Sequence, residues 1–296
     1  MRTWMAVWVV AGGLMLTVGT ALADSTNHKD TLFEDQLAIF EPKYLIFDGN
    51  GDIKFFLSSH LRLLRFSQYS TYAPDVGFLM NIKAFWAFST EDSQPFEEIN
   101  WNPEVLVRWK VPTDNPWLPH RLALARAHES DGAASDSSRG WDRWKVYSAW
   151  WVPFGDESYL EIEGSAWLVA ALEHHWAPDM PTYLGFMNWL VTVRTKSLFG
   201  KVEFRVTDNQ RAMAYDAVQN ADGHLPHPRA HPDQTRWYVH VPIIPSVRVG
   251  AGVKLPWDWE DFYIYAEYFS GYGEELYAFN QKSSTLRAGI AIVRDL

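Results

Sequence analysis

The chain has no cysteine, so disulfides are excluded and stability rests on burial or a closed hydrogen-bond network. Beyond Ala23 it lacks any apolar run long enough for a helix to cross a bilayer. That excludes helical spans but not strands, in which only every second residue faces lipid. Positive charge is also short: the formal net charge of −10 argues against a nucleic-acid partner. No Pro/Gly/Ser linker and no internal repeat divides the chain after its leader, which points to one domain. The GxSxG elbow is missing as well. Ala127, His128 and Glu129 precede Ser130, so the strand-to-helix turn of α/β-hydrolases is not indicated.

What is present points to an exported sheet. Arg2 precedes an apolar run from Trp4 to Leu22, broken by Gly12, Gly13 and Gly19 and closed by Ala21-Leu22-Ala23. This reads as a signal peptide over residues 1–23, not as a membrane anchor. The 16 tryptophans and 16% aromatic residues exceed what a soluble domain needs. Transmembrane barrels use such residues as girdles at both interfaces. From Asp52 to Phe66, residues Ile53, Phe55, Leu57, Leu61 and Leu63 share one parity, and Lys54, Ser58, His60 and Arg62 the other. A strand with one oily face has this pattern. About twelve such segments follow one another. The expected fold is all-β: a transmembrane antiparallel β-barrel of about 12 strands over residues 48–296, after an N-terminal periplasmic segment at 24–47.

Two segments invite metal readings and are better explained otherwise. Thr207 to Thr235 is long, polar and proline-bearing, as expected of an exterior loop. Its His224, His227 and His231 alternate with Pro226, Pro228 and Pro232, which rule out a helix, and have no carboxylate partner in register. Asp48-Gly49-Asn50-Gly51-Asp52 resembles the start of a calcium loop. Ile53 and Ser59 stand where that loop needs Gly and Glu, so a tight turn into the next strand is expected.

The chemistry concentrates between His128 and Asp142. Strand residues i and i+2 share a face with roughly 6.5 to 7 Å between their Cα atoms, so His128 and Ser130 stand side by side. Serine hydrolysis needs a hydroxyl, an imidazole to take its proton and a group to orient that imidazole, and Asp142 on the next strand supplies the third. Parity places the trio on the lipid side. His128 and Ser130 share a row with Arg126, Leu124 and Leu122, and Asp142 a largely apolar row with Trp144, Val146, Ser148, Trp150 and Val152. A polar trio on the outside of the rim meets the acyl ester of a membrane lipid. A row of interface residues that merely solvate the rim would have the same parity.

The segment HESDGAASDSSRGWDR at 128–143 resembles the active-site stretch of the bacterial outer-membrane phospholipase A family, with its HxSNG opening and WNR close. FEPKYLIF at 40–47, SQPFEEINWNPE at 93–104, YFSGYGEEL at 268–276 and FNQ at 279–281 resemble further segments of that family in the same order. The resemblance implies a twelve-stranded outer-membrane barrel that dimerises with calcium and hydrolyses acyl esters of phospholipids and lysophospholipids. It implies His128 as general base, Ser130 as nucleophile, Asp142 as the orienting group and the Gly132 N–H as oxyanion donor. Calcium would take the Ser138 hydroxyl, the Ala133 carbonyl and, from a second subunit, the carbonyl at Ser93, all hard oxygen ligands. By position Asn81 matches a polar residue at the dimer interface within the membrane, where an amide favours self-association. Asp142 and Asp131 are departures, since the family has asparagine at both. An Asp at 142 completes the commoner triad but is costly at a lipid face unless hydrogen-bonded. Asp131 would either help hold calcium or oppose the oxyanion. The competing readings are a non-enzymatic barrel, such as a narrow pore or a degenerate family member, and a soluble periplasmic esterase.

Overall fold

The computed structural model describes residues 37–38, 42–70, 72–87, 96–113, 115, 117–133, 138–155, 158–173, 180–208, 242–256 and 262–293. The expected signal peptide, Ser93 and the three histidines at 224, 227 and 231 lie outside them. The strands are β1 (Leu37–Ala38), β2 (Lys43–Phe47), β3 (Ile53–Arg65), β4 (Asp75–Trp86), β5 (Glu98–Lys110), β6 (Arg121–Ser130) and β7 (Gly140–Gly155). They continue as β8 (Ser158–Glu173), β9 (Met187–Arg194), β10 (Leu198–Asp208), β11 (Pro242–Ile243), β12 (Ser246–Lys254), β13 (Phe262–Tyr272) and β14 (Lys282–Ile292). A short helix, α1 (Met180–Leu184), sits between β8 and β9.

Twelve of these strands close into a ring. Each pairs antiparallel with its chain neighbours, and β2 joins β14 to β3. The two-residue strands β1 and β11 extend pairing along β3 and β10. Closure removes sheet edges, which a strand-built membrane protein requires. One boundary differs from the sequence reading: Lys43–Phe47, expected before the barrel, is the strand that completes it. Tyr44 and Ile46 are buried inside the wall, packed in a cluster with Phe199, Tyr263 and Tyr265. The apolar clusters they join leave no polar face to mark the strand.

Alternation sets the two faces. On β3, Lys54, Ser58 and His60 are fully buried toward the lumen while Leu57 is half-exposed on the outside. The lumen is filled. The cluster containing Tyr44 and Tyr265 plugs one end, and Trp141, Trp167, Met180, Tyr183, Leu184, Leu276 and Phe279 plug the other. Between them run ion pairs: Lys54 to Glu267 at 2.5 Å, Lys145 to Glu104 at 2.6 Å, Arg143 to Glu129 at 2.7 Å, and Arg248 to Glu203. The internal cavity amounts to about 130 Å³, space for a few waters.

Connections differ in length between the ends. The end carrying the β6–β7 loop also joins β10 to β11 across 209–241, the longest connection, whereas the longest at the opposite end is 111–120. Long connections face the cell exterior in such barrels. The turn at 48–52 is the short exception, and Asp48 Oδ1 accepts from Asn50 N at 2.8 Å and Asp52 N at 3.0 Å. Its carboxylate holds the tight turn that leads into β3, as expected.

Candidate active site at the barrel rim

Strands β6 and β7 build the site through their register. His128 is paired with Asp142, Ser130 with Gly140 and Arg126 with Trp144. The outer rows below them are apolar, with Leu122, Leu124, Trp144 and Val146 exposed. The inner rows hold the strands together. Ala125 and Ala127 are fully buried, and Glu129 accepts from Trp141 Nε1 at 3.0 Å and from Arg143 Nη2 at 2.7 Å. The β7–β8 pairing slips at Asp142/Arg143, where β8 carries one extra residue, Ala170, beside the site.

On the outer face, His128 Nδ1 lies 2.9 Å from Asp142 Oδ1. With the Nδ1 proton donated to this carboxylate, Nε2 carries the lone pair that a general base needs. The second oxygen, Oδ2, accepts from Arg126 Nη2 at 2.9 Å. An unpaired charge on a barrel's lipid face costs about 2–4 kcal/mol at the midplane and little at the interface, so Arg126 and Asp142 relieve one another. Ser130 stands two residues beyond His128, and no hydrogen bond joins their side chains. Catalytic hydrogen bonds are often loose without substrate and tighten on binding.

The loop after Ser130 is organised by Asp131, which is buried. Its Oδ1 accepts from Ala133 N at 3.0 Å and its Oδ2 from Arg139 N at 2.9 Å. Both oxygens are therefore engaged in shaping the loop, the one role the sequence did not suggest for them. Gly132 adopts φ +67°, the left-handed region that glycine enters freely. Its N–H has no partner among the described residues, and Trp101, the partner of Ser130 on β5, packs against its Cα. The Ala133 carbonyl and the Ser138 hydroxyl, on the two limbs that Asp131 ties together, likewise engage no other described group. These are neutral, hard oxygen donors of the kind calcium accepts. Among the described residues no cluster of three His, Asp or Glu offers another metal centre.

Asn81 falls elsewhere. It shares its parity with Leu79 and Lys83 and lines the internal cavity, so it cannot present its amide to a second barrel through lipid. Sequence reasoning missed Arg126 as a partner of the trio, although an arginine in a lipid-facing row two residues before His128 was a legible signal. It also missed Trp101, whose proximity depends on the β5–β6 register.

A closed antiparallel barrel whose lipid face bears a serine, an imidazole and a carboxylate at the rim defines the class of membrane-embedded hydrolases. The chain belongs to the phospholipase A1 family, whose model matches residues 22–292. In fold it is similar to outer membrane phospholipase A from Escherichia coli, with 16% identity, 93% of this chain and 96% of that one covered, and a TM-score of 0.64. It is equally similar to the Salmonella typhi outer membrane phospholipase, solved as a dimer with bound calcium: 17% identity, 90% and 94% coverage, TM-score 0.64. No curated protein matches it. The family is thus that of the phospholipases A1, and the fold is the one the outer membrane phospholipases A share.

Proposed function

We propose that this protein hydrolyses acyl esters of phospholipids and lysophospholipids, as a phospholipase A1 or A2, with Ser130 as nucleophile, His128 as general base and Asp142 as its orienting partner. The observation that carries this reading is the 2.9 Å contact between His128 Nδ1 and Asp142 Oδ1 on the lipid-facing side, beside Ser130. His128 Nε2 takes the Ser130 proton as Oγ attacks the acyl carbonyl, and the Gly132 N–H donates to the oxygen that becomes negative. His128 then protonates the departing glycerol oxygen. Water, deprotonated by the same imidazole, attacks the acyl-serine, and the fatty acid leaves as Ser130 regains its proton.

Calcium suits the Ala133 carbonyl and Ser138 hydroxyl, and when bound it supplies positive charge to the developing oxyanion. A third ligand at Ser93 would come from a second copy, so we propose that the active form is a calcium-bound homodimer, the state in which the Salmonella typhi protein was solved.

The test is hydrolysis of a defined phospholipid by detergent-solubilised protein with calcium or with a chelator. Wild type is expected to be active only with calcium. Ser130→Ala should lose at least about a thousandfold in kcat while keeping a heat-modifiable barrel. Hydrolysis retained by Ser130→Ala would sink the assignment.

A further inference from the structure

We infer that Arg126 is a fourth, positioning member of the catalytic group: it fixes the rotation of the Asp142 carboxylate and balances its charge on the lipid face. The inference rests on the reading of Ser130, His128 and Asp142 given above. Three observations support it. First, the two oxygens of Asp142 are divided, Oδ1 toward His128 and Oδ2 toward Arg126 Nη2, each at 2.9 Å. A carboxylate held by one oxygen can turn about its last side-chain bond, whereas one held by both presents Oδ1 to the imidazole in a single orientation.

Second, Arg126 is itself held. Its guanidinium lies 5.3 Å from the Trp144 ring, its cross-strand neighbour, and it is partly covered, as are His128 and Asp142. A cation stacked on an aromatic face in partly desolvated surroundings keeps its place.

Third, the direction of β6 sets its depth. The strand rises from Arg121 to Ser130 at the rim, so Arg126 lies roughly 6.5 to 7 Å before His128 along the strand, on the membrane side of the ester site. A headgroup phosphate would sit on the other side. The carboxylate of Asp142 is therefore the anion that Arg126 serves. Together the two carry no net charge. Asp142 and the arginine two residues before His128 form one compensated unit.

The experiment measures kcat and KM on a monodisperse phospholipid for Arg126→Gln, Arg126→Lys, Asp142→Asn and the double variant Arg126→Gln/Asp142→Asn, with heat-modifiable migration as the check on folding. Arg126→Gln should lower kcat by about a hundredfold and change KM by no more than about twofold. Arg126→Lys, which keeps the charge, should recover about tenfold of that loss. The double variant should be about tenfold more active than Asp142→Asn alone, because the two charges leave together. If Arg126→Gln does not fold, the comparison of Arg126→Lys and the double variant with Asp142→Asn still decides. A wild-type kcat in Arg126→Gln, a loss confined to KM, or independent losses in the double variant would each overturn the inference. These failures are distinct from that of the hydrolase reading, which shows as undiminished activity in Ser130→Ala.

Discussion

Asp131 and Arg139 close the β6–β7 loop with two hydrogen bonds, from Asp131 N to the Arg139 carbonyl at 3.0 Å and from Arg139 N to Asp131 Oδ2 at 2.9 Å. Since Ala133 N occupies the other carboxylate oxygen, the side chain at 131 must accept twice. An asparagine accepts once and would turn its amino group against a backbone N–H. Asp131→Asn should therefore cost about 1–3 kcal/mol, the usual penalty for a buried donor left unpaired. Thermal unfolding and kcat measure it, with kcat expected to fall about tenfold as Gly132 and Ala133 lose their anchor. A variant equal to wild type in both would show that the loop does not depend on this carboxylate.

Any side chain at Gly132 is strained. Its φ of +67° costs an L-residue about 1–2 kcal/mol, and a Cβ would lie 3.1 Å from Trp101 Nε1 and 3.2 Å from its Cδ1. The Trp101 ring can give by the few tenths of an ångström this contact needs, but relief of the φ strain turns the backbone, and with it the Gly132 N–H. Gly132→Ala is therefore expected to lose activity by about a hundredfold or more while the barrel stays heat-modifiable. Full activity in a folded Gly132→Ala would remove this N–H from the mechanism.

How far the sequence could be read follows from the period of two. On β3 the buried Lys54, Ser58 and His60 alternate with outward apolar residues, and the same alternation gave the lipid-facing row of His128 and Ser130. Where both faces are apolar the signal vanishes. In Lys43–Phe47 the inward Tyr44 and Ile46 meet an aromatic plug and the outward Phe47 meets lipid, so nothing alternates to mark a strand. β4 hides its parity in the same way. Leu79 and Phe85 are buried in the inward row beside Asn81 and Lys83, and an amide inside the barrel then reads as an amide in the membrane. Arg126 was visible as a residue but not as a partner of Asp142, because a hydrogen bond between strands depends on register, which composition does not encode, and Asp131 was not visible as a loop tie because its partners Ala133 N and Arg139 N meet it only in the folded loop.

The seam that closes the ring is testable at Gly289. It is paired with Ile46, and a Cβ at 289 would lie 2.2 Å from the Leu45 carbonyl oxygen and 2.9 Å from the Ile46 Cα. Both are backbone atoms, which cannot swing aside as a side-chain tip does. Gly289→Ala should therefore separate β14 from β2, lowering stability by about 1–3 kcal/mol or more and weakening heat-modifiable migration. Gly49, with nothing within 4 Å of the added carbon, is the control, and Gly49→Ala should stay within about 0.5 kcal/mol of wild type. Equal behaviour of the two variants would mean that the seam tolerates a side chain.

The 273–281 loop carries a pH dependence of its own. Burial pushes the Glu275 carboxyl up to about 7, and the neighbouring Glu98, Glu274 and Glu97 push it further in the same direction. Glu274 does not share this behaviour. Burial raises it too, but Lys54 and Arg287 outweigh that and lower it to about 2, so it stays ionised across the neutral range. The folded loop thus keeps a proton on Glu275 that the unfolded chain releases near 4.5. Its contribution to stability is complete below that value and is lost as pH rises through about 7. The loop is anchored by Glu98, which accepts from Leu276 N at 2.5 Å and Tyr277 N at 3.0 Å, so hydrogen exchange at these two amides reports it. After correction for intrinsic rates, their protection in wild type should fall between pH 5 and pH 8, on the order of the span from 4.5 to 7. In Glu275→Gln, which cannot ionise, protection should be flat over that range. Identical pH profiles in the two proteins would show that Glu275 does not govern the loop.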